Sequence, residues 1–119
     1  MAYEKGSVNE YLEPVVSVEF NNGRNIEFMI DTGFNGSLCV PRSLMSDLGL
    51  EIVFEEEVFG VGAHKAVLDL SVTEVYWFGE SLSVNVLINA GDDRLLGSQP
   101  LDGEILRINY KNKTLIISN

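Results

Sequence analysis

The chain has 119 residues, of which 18 are acidic and 8 are Lys or Arg, so its formal net charge is −10. Phosphate backbones repel such a surface, which disfavours nucleic-acid binding. The single cysteine excludes an intrachain disulfide and any zinc site built from several thiolates, and no apolar run approaches the ~20 residues of a membrane helix.

The N-terminal segment MAYEKGSVNEYLE is polar and has no clear period. We therefore expect residues 1–13 to form a flexible leader and residues 14–119 to form one domain. The segment has no basic flank followed by an apolar stretch, so it shows no secretory signal, and a cytoplasmic location is expected.

From Pro14 onward the sequence predicts short strands separated by turns. PVVSVEF and NIEFMID alternate apolar and polar residues on either side of Asn21-Asn22-Gly23. Asn and Gly tolerate the positive φ of a tight turn, so the two segments predict a hairpin whose second strand ends at Asp31.

Downstream of this hairpin, PRSLMSDLGL at 41–50 is the one helical candidate, since Leu44 and Leu48 share a face and Gly49 supplies a stop. Strands around 52–59 and 65–78 follow, and SVNVLIN, RLLG, EILRINY and TLIIS complete the chain. The pattern predicts an all-β domain with one short helix.

The densest acidic segment is EIVFEEEV, at 51–58. It could form a site for a cation or a basic partner. The commoner alternative is a solvated strand edge, whose charges discourage aggregation.

Three segments carry unusual local chemistry. Asp31-Thr32-Gly33 follows an apolar strand; the glycine permits close backbone approach, although an ordinary turn in which the aspartate bonds its own backbone explains the tripeptide equally well. Gly60-Val61-Gly62 forms either a mobile tip that can fold over a groove or a loose turn. Leu95-Leu96-Gly97 allows close packing against another backbone, or simply ends a strand.

In this order and spacing the three segments resemble the retropepsin-like aspartic proteases. The finer similarity of IDTGFNGSLCVP, LMSDLGL and LLGSQPLDGEILRINYKNKTLIIS is to small prokaryotic clan AA proteins characterised by Asp-Thr-Gly-Phe. The resemblance covers about residues 14–118. It implies a single-lobe acid-protease-type fold, a closed or partly closed barrel.

The resemblance also implies roles for individual residues. Asp31 would be catalytic, and Thr32 and Gly33 would shape its loop. A flap would be formed by Phe59, Gly60, Val61 and Gly62, and the segment packing beneath the active-site loop would be Leu95, Leu96 and Gly97. Ser98 departs from the viral pattern, in which an Arg at this place helps to brace the dimer.

Peptide hydrolysis of this class needs two carboxylates: one activates a water, and the other, protonated, polarises the substrate. No other aspartate of the chain stands in an Asp-Thr-Gly context, so the second carboxylate must come from a second copy across a twofold axis. The expected function is a homodimeric aspartic endopeptidase that binds an extended peptide by strand addition and uses neither a metal nor an organic cofactor. The alternatives are a non-catalytic peptide-binding or assembly module on the same fold, and a processing domain that acts only within a larger complex.

Other chemically notable residues have simpler interpretations. His64 is expected to be an exposed turn residue, since no second histidine is present to share a metal. The apolar setting of Cys39 predicts a buried, inert thiol. Trp77 and Phe78 are expected to fill the core or an interface.

Overall fold

Ten strands form most of the regular structure in the computed structural model, which describes residues 2–59 and 65–119, with the backbone alone at 57–59 and 65–67. Their bounds are β1 Tyr3–Val8, β2 Pro14–Phe20, β3 Asn25–Ile30, β4 Leu38–Pro41, β5 Phe54–Phe59, β6 Lys65–Trp77, β7 Glu80–Asn89, β8 Leu95–Leu96, β9 Ile105–Asn109 and β10 Thr114–Ser118.

The strands pair in the order β5-β6-β7-β4-β8-β3-β2-β1-β10-β9, and β6 also pairs with β2. This additional pairing closes a ring of six strands, namely β6, β7, β4, β8, β3 and β2. Strand β5 lies at one edge, and β1, β10 and β9 extend the sheet beyond the ring. The prediction of an all-β fold is confirmed.

Two pairings in the ring are parallel. Strand β8 runs parallel to β3, and β4 runs parallel to β7, whereas the other pairings are antiparallel. Parallel neighbours cannot be joined by a tight turn, so these pairings bring together segments that are distant in sequence.

The predicted first hairpin is present, with Val15–Glu19 of β2 opposite Asn25–Met29 of β3. Alternate residues of β3 point inward, and Phe28 is 0% exposed. Full burial of one such side chain stabilises the fold by about 1.5–3 kcal/mol. The fully buried large side chains of the core are Phe20, Phe28, Leu38, Leu48, Leu96, Leu115, Ile117, Val16, Val18, Val40 and Val86.

The helical candidate is confirmed at a shorter length. A 3-10 turn at Arg42–Leu44 leads into the α-helix α1, Met45–Leu48, which ends at Gly49 in the left-handed conformation with φ 66°. A glycine adopts this conformation without the steric cost that a Cβ would bring. No helix in the described ranges has the length and apolar character needed to cross a membrane.

The prediction of a flexible leader over residues 1–13 is wrong for residues 3–8, which form β1. This strand pairs with β10 on one side and with β2 on the other. Its inward face carries Glu4, Gly6 and Val8, so a single large apolar residue points at the core and the sequence shows no alternation of hydrophobicity. A Cβ at Gly6 would lie 2.0 Å from the Val15 carbonyl oxygen, which explains why position 6 has no side chain.

Candidate active-site loop

Asp31 is the first residue after β3, at the point where the chain leaves the core. Ile30 before it is buried, whereas Asp31 is half-buried and the next two residues are exposed. The Asp31 amide donates to the Leu96 carbonyl at 2.9 Å. The carboxylate is therefore held at the rim of the core by backbone that is itself paired.

A tight turn follows the aspartate. The Gly33 amide donates to Oδ1 of Asp31 at 3.0 Å, and the Phe34 amide donates to the Asp31 carbonyl at 3.1 Å. Among the described residues Gly33 is the one hydrogen-bond partner of the Asp31 side chain. The hydrogen bond to Oδ1 thus fixes the orientation of the side chain, and Oδ2 has no hydrogen-bond partner among the described residues.

Strand β8 lies between the two strands that the loop connects. Leu95 and Leu96 pair with Met29 and Ile30 of β3, respectively, and on the other side with Cys39 and Leu38 of β4. The segment 31–37 therefore crosses over the end of β8.

Gly97 lies directly under the crossing loop. A Cβ at this position would lie 2.3 Å from the Gly36 carbonyl oxygen and 2.5 Å from that of Phe34. The Gly97 amide donates to the Ser37 carbonyl at 2.9 Å, and the Ser98 amide donates to the Phe34 carbonyl at 2.9 Å. The absence of a side chain is what allows these backbone hydrogen bonds to form.

A side-chain hydrogen bond that the sequence analysis did not identify joins the same two segments. The buried Ser37 hydroxyl donates to Oε1 of Gln99 at 2.8 Å, across 62 residues of sequence. The Gln99 amide also donates to the Gly36 carbonyl at 3.2 Å. Nothing in a single sequence relates a serine to a glutamine so far away.

Two depressions flank the loop. One, of about 240 Å³, lies between Phe34 and Gly36 on one side and the hairpin of β5 and β6 on the other. A more open one, of about 490 Å³, lies beside Thr32 and is lined by Leu101 and Leu106. The loop thus has an accessible surface on both sides.

The segment predicted to form the flap is described only at its start. Phe59 is the last residue of β5, and Gly60, Val61 and Gly62 lie outside the described residues, as does His64. Strands β5 and β6, which lead into and out of this segment, pair over six residues on each side.

The other residues singled out from the sequence lie in the core. Cys39 is 4% exposed, which confirms the predicted buried thiol, and its Sγ accepts from Nδ2 of Asn89 at 3.1 Å. Burial raises the pKa of the Cys39 thiol, with a smaller rise from Asp93 and a lowering by the Asn89 hydrogen bond. Trp77 is buried, as expected for a core residue, and its Nε1 donates to the Pro100 carbonyl at 3.1 Å.

Two other aspartates of the described chain are engaged elsewhere. Asp47 lies 3.7 Å from a guanidinium nitrogen of Arg24, and Asp69 pairs with Arg42. Across the described ranges, no group of three or more His, Cys, Asp or Glu side chains is arranged to hold a metal ion.

Comparison with solved structures identifies the fold. A retropepsin-like aspartic protease from Rickettsia conorii matches 97% of this chain and 89% of its own, with a TM-score of 0.73 and 19% sequence identity. The fold is retropepsin-like. No protein-family model and no curated protein sequence matches the chain.

Viral structures share the retropepsin-like fold. The protease of simian foamy virus (mac) matches 74% of this chain and 91% of its own, with a TM-score of 0.57 and 16% identity. The EIAV protease in complex with the inhibitor HBY-793 matches 80% of this chain and 90% of its own, with a TM-score of 0.58 and 16% identity. At such low identity the similarity establishes the fold alone, so activity has to be argued from the residues of this chain.

Proposed function

We propose that this protein is an aspartic endopeptidase that works as a homodimer, in which Asp31 of each copy contributes one carboxylate. The observation that carries the proposal is the setting of Asp31 within a retropepsin-like fold. The side chain leaves a buried strand, is oriented by the Gly33 amide through one oxygen, and keeps its second oxygen without a hydrogen-bond partner among the described residues.

The chemistry requires a pair of carboxylates. One acts as general base on a water that attacks the peptide carbonyl, and the other, protonated, polarises that carbonyl and later protonates the leaving amine. Two carboxylates ~3 Å apart would repel each other by roughly 5 kcal/mol at an effective dielectric near 20, so the pair retains one proton. The two groups titrate as a unit. Neither a metal nor an organic cofactor is needed for this reaction.

A second copy is the natural source of the second carboxylate. A twofold axis beside the loop would bring Asp31 against its own equivalent, since a twofold interface joins identical surfaces. The open depression beside Thr32, with Leu101 and Leu106 in its lining, offers apolar surface near the loop for a partner to cover. Thr32 is exposed and could then hydrogen-bond across the axis.

The other predicted residues have supporting parts in this proposal. Gly33 would let the substrate backbone approach the carboxylate, and Phe59, Gly60, Val61 and Gly62 would cover a peptide bound in extended conformation. Leu95, Leu96 and Gly97 would hold the loop from below, a role supported by the backbone hydrogen bonds from Gly97 and Ser98.

The test compares Asp31→Asn with Asp92→Asn, an exposed aspartate in the turn that precedes β8. We expect the wild-type protein to sediment as a dimer at micromolar concentration and to cleave peptides from a library between about pH 4 and 7. Asp31→Asn should remove cleavage while circular dichroism shows an unchanged fold, and Asp92→Asn should retain cleavage.

A monomer that binds peptides equally well with and without Asp31→Asn would contradict the proposal. That result would favour the non-catalytic module on the same fold. Cleavage that persists in Asp31→Asn would also overturn the assignment of this carboxylate.

A further inference from the structure

The depression of about 240 Å³ beside the loop has apolar walls and a charged side chain, Glu56, among its described lining residues. Apolar side chains from four strands and from the loop line it, among them Phe34, Phe54, Leu68, Leu70 and Leu87. Glu56 is the one charged residue among the described residues of the lining. A cavity with this composition favours a ligand group that is apolar along its length and charged at one end.

The register of the sheet explains why these side chains share a surface. Phe54 lies opposite Leu70, and Glu56 lies opposite Leu68. Leu70 in turn lies opposite Leu87 of β7. Directly opposed residues of antiparallel strands project to the same face, so the five side chains form one patch.

This patch lies on the opposite face of the sheet from the core. Ser71 and Val75 of β6 are buried inside the ring, whereas the residues that alternate with them face outward. Phe54 is 45% exposed. The patch is therefore accessible to a ligand lying along the loop that carries Phe34 and Gly36.

Glu56 forms no salt bridge with another described residue. Within the described part of the chain the salt bridges are Arg24–Asp47 and Arg42–Asp69, so none of them involves Glu56. The side chain is exposed on β5, an edge strand of the sheet. Glu55 beside it points to the other face, opposite Asp69.

We propose that this depression binds a lysine or arginine side chain of the substrate, with Glu56 as the specificity-determining residue. The inference rests on the proposed endopeptidase function, since it assigns one subsite of the peptide groove. The methylene stem of the cationic side chain packs against Leu68, Leu70 and Leu87, and its charged end reaches the Glu56 carboxylate. The net charge of −10 attracts such a substrate from a distance.

The test measures the binding of short labelled peptides that differ at one position, which carries lysine, norleucine or glutamate and is moved along the sequence. Norleucine keeps the apolar stem of lysine and lacks the ammonium group, so the comparison isolates the charge. Fluorescence anisotropy on the Asp31→Asn protein measures affinity without cleavage. Glu56→Gln is compared with Glu55→Gln, which removes the same charge from the opposite face of β5.

At one position we expect the lysine peptide to bind about threefold more tightly than the norleucine peptide, as for a partly exposed ion pair. The glutamate peptide should bind more weakly than both. Glu56→Gln should abolish the lysine preference and Glu55→Gln should retain it. Raising the salt concentration from roughly 50 to roughly 500 mM should reduce the preference, because salt screens exposed charges.

Equal binding of lysine and norleucine peptides at every position would overturn the inference, as would a preference that survives Glu56→Gln or an absence of binding by any peptide. Cleavage by the otherwise wild-type protein separates this inference from the proposed function. Cleavage without a lysine preference refutes the subsite and leaves the endopeptidase standing. A Glu56-dependent preference without cleavage supports the subsite and refutes the endopeptidase.

Discussion

Replacing Gly97 with alanine should disturb the loop that carries Asp31 without touching the carboxylate. The added Cβ would lie 2.3 Å from the Gly36 oxygen and 2.5 Å from the Phe34 oxygen. Both distances are roughly 1 Å shorter than an ordinary carbon–oxygen contact of about 3.3 Å. The neighbours are backbone atoms, so no side-chain rotation can relieve the contact and the loop itself must move.

The expected cost follows from what that movement breaks. The hydrogen bonds from the Gly97 amide to the Ser37 carbonyl and from the Ser98 amide to the Phe34 carbonyl, both 2.9 Å, lie on either side of the substituted Cα. Losing them at about 1 kcal/mol each, together with the strain of overpacking, destabilises the protein by about 3–4 kcal/mol. At about 4 °C per kcal/mol for a chain of this size, Tm should fall by about 12–16 °C.

Urea unfolding followed by tryptophan fluorescence measures this change, with the slope of the free energy against urea expected to stay constant. Gly91→Ala is the matched control, since its Cβ would have its nearest contact at 3.4 Å, with Asn89 Oδ1, and should change stability by less than about 0.5 kcal/mol. If Gly97→Ala also falls within about 0.5 kcal/mol of wild type, the packing argument is refuted. Where the proposed activity is present, a loop shift of about 1 Å should lower cleavage about 100-fold.

Two further predictions concern the core and the first strand. Since burial raises the pKa of Cys39, less of its thiol is ionised at pH 8 than in a free cysteine. Alkylation of this thiol should therefore be slow in the native protein and fast in urea. Equal alkylation rates in the two conditions would contradict the buried environment. Deleting residues 2–8 removes β1 from between β2 and β10 and leaves both of these strands without that partner. The free energy of unfolding, measured with urea, should therefore fall by several of the ~5–15 kcal/mol that stabilise a typical domain. An unchanged urea midpoint would show that β1 is dispensable.

The local features of the fold were readable from the sequence because they depend on neighbouring residues. The alternation in PVVSVEF and NIEFMI, with a turn of Asn and Gly between them, specifies the hairpin of β2 and β3. The helix likewise ends at Gly49, as predicted from the position of this glycine just after Leu44 and Leu48. In each case the hydrophobic period and the turn residues lie within a few positions of each other.

The strands whose stability comes from partners distant in sequence could not be predicted in the same way. Strand β1 has a weak hydrophobic pattern and is held by backbone pairing on both of its sides. The closure of the ring depends on Glu19 and Phe20 meeting Tyr76 and Val75, a pairing that no local pattern indicates. The Ser37–Gln99 hydrogen bond was missed for the same reason.

The position of Leu95-Leu96-Gly97 gives a physical reason for its three residue types. Leu95 and Leu96 form the strand between β3 and β4. Leu96 is only 1% exposed, so its position needs an apolar side chain. At the next residue, Gly97, the carbonyl oxygens of the crossing loop lie too close to the backbone to leave room for a Cβ, so a glycine is needed. The shape of the Asp31 loop is thus set by a segment more than sixty residues away, since Asp31 itself donates its amide to Leu96. Substitutions in that segment should therefore alter the carboxylate's position while leaving its chemistry intact.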